Sequence, residues 1–378
     1  PLKVEGMIRS MLLTLFYICM ILPSAKAVYD EDLSKTLLRL SAAAYGTKDN
    51  RQQCLDNTLP ANEDWKIVSN MDVEADSLNN QCSGFIAASH KRKTVIVAFR
   101  GTKKPGQLFL EALKSLRMGG DYHEMGGVHS YFRKAIEILW KPISKIFARH
   151  NIENIPDKPE LFKNDYTIIF TGHSLGGALA ALAAARILKY KIRDPSKVKL
   201  YTFGQPRTGS LLFSWHMDSY VHVGFESYRV VFRNDSVPHF PPCQENKHAP
   251  PNKYGVRSCF HVGKEDQFYH HGMEIWYPDS MTPGSNYKIC DGGPMNEDKN
   301  CSNQFKYTID ENFEKRNWDH RHYFDVSLVN FGKSGCTNRT HKAIPREFRH
   351  RIEVFASFIS GMCGGKRKKF FKKINDYL

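Results

Sequence analysis

Residues 166–190 read YTIIFTGHSLGGALAALAAARILKY, and the architecture of the chain follows from how that stretch divides. Thr167, Ile168, Ile169, Phe170 and Thr171 form a short apolar, β-rich run of the kind that makes a strand buried on both faces. The chain then turns through Gly172-His173-Ser174-Leu175-Gly176, and residues 177–188 are rich in Ala and Leu, without proline, and strongly helix-forming. Strand, sharp turn and helix around Gly-x-Ser-x-Gly is the context of a nucleophile elbow. Gly172 and Gly176 flank the serine because side chains there would collide with strand and helix. Ser174 would stand at the carboxyl end of a strand, with the first N–H groups of the helix aimed at whatever it attacks. The competing reading is a tight turn whose serine only caps the helix. The rest of the chain must therefore supply the partners that a nucleophile needs.

Outward from the elbow, strands alternate with helices. Residues 83–90 and 93–99 read as a hairpin whose second strand, TVIVAF, is apolar throughout and ends in Arg100-Gly101-Thr102. Further strands are expected over 197–203, 228–232 and, as the last, 273–277. Helices are expected over 28–44, with Leu33, Leu37, Leu38 and Leu40 inward, and over 128–147, kinked at Pro142 and carrying Tyr131, Ile136, Leu139 and Trp140. A final helix is expected over 345–360, residues 50–81 read as polar loop, and about 284–317 read as a polar insertion holding Cys290 and Cys301. The alternation predicts an α/β protein with a mostly parallel sheet covered by helices on both faces. In open sheets of that kind the active residues gather where strands end, and Thr102, Ser174 and Asp235 each lie just past such an end.

A serine hydroxyl becomes a useful nucleophile when a histidine takes its proton and a buried carboxylate orients that histidine. On this architecture the chain order is Ser, then Asp or Glu, then His. Asp235 is the first strong acid candidate after Ser174: it follows an apolar strand and is stopped by Val237-Pro238, whereas Asp218 has no strand before it. The bland alternative for Asp235 is a turn-forming Asn-Asp pair. Of the 16 histidines, His320 and His322 come late enough, on an expected loop after the last strand, and spacing alone leaves them tied. The oxyanion of a tetrahedral intermediate needs donors. The N–H of Leu175 and the Arg100-Gly101-Thr102 turn can supply them, since Gly101 permits close backbone approach and Thr102 adds a hydroxyl. This chemistry requires neither metal nor organic cofactor.

Composition narrows the setting. The chain has 378 residues and ordinary apolar content, so it is globular. Residues 1–6 precede Met7 and read as upstream sequence or a fragment end. Arg9, the apolar run 11–22 and Ala25-Lys26-Ala27 then form a secretory signal with cleavage expected after Ala27, leaving a domain over 28–362. The apolar run is too short to span a bilayer. Cys19 departs with the signal, and the remaining eight cysteines imply disulfides in an extracellular chain. Sequence proximity suggests Cys54–Cys82, Cys243–Cys259 and Cys290–Cys301, leaving Cys336–Cys363. Asn300-Cys301-Ser302 and Asn338-Arg339-Thr340 are candidate glycosylation sites. The net charge of +15 is partly due to a basic tail over 363–378, where Lys366, Arg367, Lys368, Lys369, Lys372 and Lys373 surround Phe370 and Phe371. Such a tail is either solvated or attached to an anionic surface. The secretory signal disfavours nucleic acid as a partner, and oligomeric state is not legible.

The motifs, taken in order, resemble those of the class 3 lipases, secreted α/β-hydrolases that include fungal triacylglycerol lipases, and their style is most similar to nematode members. They are Phe99-Arg100-Gly101-Thr102, Val128-His129-Ser130-Tyr131-Phe132, the elbow from Gly172 to Ala180, Phe203-Gly204-Gln205-Pro206-Arg207, Asp235-Ser236-Val237-Pro238 and Asp319-His320-Arg321-His322-Tyr323-Phe324. The resemblance implies an α/β-hydrolase fold and a serine-triad lipase acting on lipid esters at a lipid–water interface. A phospholipase A1, a short-chain esterase and a catalytically silent lipid-binding protein are the alternatives. It implies that the catalytic histidine is the one separated by two residues from Tyr323-Phe324, which selects His320 over His322, and it places the oxyanion residue at Thr102. The long cysteine-containing stretch before His320 departs from the family pattern. The resemblance also implies a short helical lid. Over 103–120, Leu108, Phe109, Leu113 and Leu116 recur at amphipathic spacing between Pro105-Gly106 and Gly119-Gly120 as hinges.

Overall fold

A central sheet of eight strands among the described residues carries the molecule, in the order β1-β2-β3-β6-β7-β8-β9-β10. The structure is a computed structural model that describes residues 28–74, 81–102, 118–147, 165–259, 267–290, 297–305, 307 and 313–337. The signal segment, the lid residues Leu108, Phe109, Leu113 and Leu116, the expected helix over 345–360, Cys363 and the basic tail lie outside the described residues. The strands are β1 (Lys66–Glu74), β2 (Gln81–Ser89), β3 (Thr94–Phe99), then after a small ribbon β6 (Thr167–His173), β7 (Val198–Phe203), β8 (Glu226–Phe232), β9 (Met273–Tyr277) and β10 (Lys288–Cys290). From β3 to β9 all neighbours are parallel, while β1, β2 and β10 pair antiparallel at the two margins. The ribbon is β4 (Met118–Asp121) paired with β5 (Gly127–His129).

Two-residue periodicity explains how the sheet is covered. Val95, Val97 and Phe99 of β3 and Ile168 and Phe170 of β6 enter one core. The helices α3 (Ser130–Phe147) and α4 (Leu175–Lys189) line it, and α5 (Leu211–Val221) adds Phe213 and Met217. Ile96, Ala98 and Ile169, facing the other way, enter a second core under helix α1 (Glu31–Ala43). Leu37, Leu38 and Leu40 of α1 are fully buried there, and Leu33 only partly. Among the described residues, no helix is long and apolar enough to cross a membrane.

Several expectations need correcting. The stretch 50–81 is not loop: it holds helix α2 (Lys48–Thr58) and strand β1. Helix α2 buries only Arg51, Cys54 and Leu55, so it has almost no apolar period to read, and its start is fixed by a Thr47–Asn50 capping box. Strand β9 is not the last, because the insertion adds β10 along its edge. Gly119 and Gly120 lie inside β4, with Gly119 opposite Val128, and not in a hinge. Among the described residues three disulfides are formed: Cys243–Cys259 and Cys290–Cys301 as expected, and Cys54–Cys336 in place of Cys54–Cys82 and Cys336–Cys363. The last joins α2 to the end of helix α7 (Leu328–Lys333), since both helices pack on α1 and bring residues 282 apart in sequence to a Cα separation of 4.7 Å.

Candidate active site

The elbow is where the sheet's geometry becomes chemistry. Ser174 joins β6 directly to α4 at φ +60°, ψ −129°, a conformation that costs a non-glycine residue roughly 1–3 kcal/mol. Its N–H donates to Phe203 O of β7 at 2.8 Å, which ties the turn to the neighbouring strand. The flanking glycines are required by contact. A Cβ on Gly172 would lie 2.2 Å from Gly176 O, and one on Gly176 would lie 2.2 Å from Phe99 O. Ser174 Oγ is buried and makes no hydrogen bond among the described residues.

The Arg100-Gly101-Thr102 turn lies beside the serine: a Cβ on Gly101 would come within 3.1 Å of Ser174 Cβ. Thr102 is half-buried just beyond it. Leu175, buried, is the first residue of α4, so its N–H has no acceptor within the helix. Leu175 thus adjoins the nucleophile in the chain, and the turn that leads to Thr102 lies against it.

Asp235 follows β8 and is fully buried. Its Oδ1 accepts the Val237 N–H at 2.9 Å, and its Oδ2 accepts both His320 Nδ1–H at 2.8 Å and the Tyr323 hydroxyl at 2.6 Å. Because an ionised carboxylate only accepts, the proton of neutral His320 sits on Nδ1 and the lone pair is left on Nε2. His320 is near the end of helix α6 (Phe313–Arg321) rather than on a loop. That helix is too polar to announce itself by apolar spacing. A side chain on Gly204 would block the pair, since its Cβ would lie 2.7 Å from Asp235 Oδ2 and 2.9 Å from His320 Nδ1. His322 is elsewhere: its Nδ1 is 2.8 Å from Trp318 O, and its ring stacks on Trp318. Asp218 accepts the Gly272 N–H and is not at the site.

The insertion meets the site from one side. Arg207, buried, donates from Nε and Nη2 to Glu297 at 2.8 and 2.7 Å, and from Nη1 to His239 O and Pro241 O. His239 stacks face to face on Tyr307 at 3.7 Å. The turn after Asp235 is thus held by residues of the stretch that departs from the family pattern. The one group with metal-ligand proximity among the described residues is Glu274, Cys290 and Cys301. Its two sulfurs are joined to each other and cannot serve as thiolates.

Three buried residues that sequence reasoning did not select also converge here. Tyr323 is a second donor to Asp235 Oδ2, beside His320. His173 lies between Tyr45 and His320, with Nδ1 2.9 Å from the Tyr45 hydroxyl and Nε2 2.7 Å from His320 O. Burial, and secondarily the neighbouring His320, hold the His173 imidazole well below its ordinary range, so it is neutral. Tyr323 and His173 stand inside the motifs, but nothing in the sequence indicates their partners. Tyr45, after α1, carries no sequence signal.

The similarity to known proteins agrees with this geometry. Residues 96–245 match the family model described as lipase (class 3). The chain is similar to Lipase ZK262.3 of Caenorhabditis elegans, with 36% identity over 345 residues, covering 90% of this chain and 91% of that protein. It is 29% identical to a lipase of Rhizopus niveus over 258 residues, 66% of this chain and 53% of that relative. The solved structure of lipase II from Rhizopus niveus superposes with a TM-score of 0.56 at 25% identity, covering 81% of this chain and 97% of that one.

Proposed function

The chain belongs to the class 3 lipase family and has its α/β-hydrolase fold, and from that premise we propose that it is a secreted serine-triad lipase hydrolysing carboxylic ester bonds of triacylglycerol or related lipids. The observation that carries the reading is the His320–Asp235 pair at the same strand-end edge as the strained Ser174 elbow. Ser174 Oγ attacks the ester carbonyl while His320 Nε2 takes its proton. Asp235 holds the ring and stabilises the cation that forms. Leu175 N–H and the N–H and hydroxyl of Thr102 receive the oxyanion, each donor contributing on the order of 3 kcal/mol at the transition state. His320 returns the proton to the leaving alcohol, and water then releases the acyl group by the reverse sequence.

The domain assignment belongs to the same proposal. Residues 1–27 are removed as a signal, 28–362 form the hydrolase domain, and 363–378 are a basic tail available to anionic surfaces. Three disulfides support an oxidising destination.

A fluorophosphonate should label Ser174 stoichiometrically, and Ser174→Ala should lose activity by about a million-fold with the fold intact. Absence of labelling, together with absence of turnover on any ester, would instead identify a lipid-binding protein that has lost catalysis. A substrate series across acyl lengths, glycerides and phospholipids separates the lipase from a phospholipase A1. The apolar spacing of Leu108, Phe109, Leu113 and Leu116 motivates one more arm: the rate should jump when a short-chain triglyceride passes its solubility limit. Smooth saturation through that limit would make the enzyme an esterase.

A further inference from the structure

His173 stands between Gly172 and the nucleophile, at a position the Gly-x-Ser-x-Gly pattern leaves unspecified, yet both of its ring nitrogens are engaged. Nε2 faces the His320 backbone carbonyl at 2.7 Å, and a carbonyl can only accept, so Nε2 carries the proton. Nδ1 is then an acceptor, and the Tyr45 hydroxyl donates to it at 2.9 Å. Burial raises the Tyr45 phenol far above its ordinary range, so that donor stays protonated. The same hydroxyl packs directly against Gly101, where a Cβ would collide with it. The rings of His173 and His320 also lie 4.5 Å apart at a tilt of 33°. One continuous path therefore runs from the turn beside Thr102, by packing onto Tyr45, and then by hydrogen bonds through His173 to the main chain of His320.

We propose that Tyr45 and His173 are positioning residues that lock the backbone of His320 and the oxyanion turn to the nucleophile elbow. The proposal rests on the roles of Ser174, His320 and Thr102 given above. Its physical content is registration. Asp235 fixes the His320 ring at Nδ1, but a ring held at one atom can still pivot with its main chain. The bond from His173 removes that freedom, using the residue bonded directly to Ser174. The two neutral side chains touch neither substrate nor reacting atoms. Their loss should slow the chemical step without weakening ester binding.

The test is steady-state kinetics on p-nitrophenyl butyrate, with rates divided by active sites titrated with a fluorophosphonate. Tyr45→Phe keeps the ring and removes one oxygen, and should lower kcat by about 10- to 100-fold with KM changed less than about twofold. His173→Leu should do at least as much. His173→Gln, whose amide can still donate towards the His320 carbonyl, should recover most of the loss. Should His173→Leu fail to fold, Tyr45→Phe and His173→Gln carry the test alone. Wild-type kcat per titrated site in Tyr45→Phe overturns the relay, as does a His173→Gln as slow as Tyr45→Phe. Ser174→Ala in parallel separates the two levels. If it is inactive while Tyr45→Phe is unimpaired, only the relay falls; if it stays active, the triad falls and the relay with it.

Discussion

His320 and His322 are two positions apart and both buried, and what separates them is the partner each ring finds. His320 Nδ1 meets a carboxylate, while His322 Nδ1 meets the Trp318 carbonyl and its ring lies 4.2 Å from the indole. His320→Ala should therefore lose activity by about 10⁴-fold or more, and His322→Ala should stay within about tenfold of wild type while melting earlier. Ester hydrolysis and a thermal melt on both variants check this, and the reverse pattern would mean that the base is misassigned. Tyr323→Phe is a finer test of Asp235. The tyrosine is kept protonated by its burial and by the adjacent carboxylate, so it always donates. Removing a hydrogen bond to a charged group costs about 1.5–3 kcal/mol. With His320 and Val237 still bonded to Asp235, we expect reduced stability in urea and a kcat loss of about tenfold, well short of an inactive enzyme. Ser174 and Asp235 can be picked out in the sequence because each follows an apolar strand, whereas spacing leaves His320 tied with His322 and only the family resemblance selects it. Tyr45 is illegible for the opposite reason: its hydroxyl bonds His173 and packs against Gly101, both far along the chain.

At the scale of elements, legibility tracks apolar period. Strands β3 and β6, buried on both faces, can be read directly, and so can the Ala-rich α4. Helix α2 and strand β1 escape such a reading because a half-covered margin needs few apolar residues. Arg51, the buried anchor of that margin, is polar in sequence but bonds Asp72, Asn70 and Ser83 of the adjoining strands. Helix α6 and strand β10 hide in polar sequence for the same reason. The Cys54–Cys336 bridge is a tertiary fact that no spacing can encode, since proximity in sequence favours Cys82 as the partner. A bridge between residues 282 apart removes much freedom from the unfolded chain. Replacing both cysteines by serine should cost about 2–5 kcal/mol. A lowered urea midpoint in the double variant checks the energy, and a non-reducing peptide map checks the pairing. Recovery of a Cys54–Cys82 peptide would refute the bridge.

For the molecule as a whole, acid is the expected weak point, because several buried histidines are held neutral beside arginines. His239 and His270 are kept well below the ordinary imidazole range, first by burial and then by Arg207 and Arg229. His271 is lowered to about 3, by burial and then by Arg229, and His173 is lowered well below its usual range by burial. These groups sit among fixed bonds: His270 Nε2 to Pro238 O, His271 to Gln205, and His239 to Asn303 and the face of Tyr307. Glu297 accepts from Arg207 and from the His270 N–H, so part of the local positive charge is already balanced. The sign follows from linkage. A histidine whose folded pKa lies below the unfolded value takes up its proton more readily in the unfolded chain. Its contribution to stability is therefore full above about pH 6.5 and is lost as pH falls below that value, by up to about 1.4 kcal/mol per pH unit for each group. Glu274, raised by burial, acts in the opposite sense but is one group against four. The urea midpoint should be level from about pH 8 to 7 and fall steeply between about pH 6.5 and 5. His271→Gln, a neutral side chain at every pH, should flatten that fall by about one proton. A midpoint unchanged down to about pH 5 would mean that these imidazoles gain protons without unfolding the chain, and that the packing around Arg207 and Arg229 is looser than their hydrogen bonds imply.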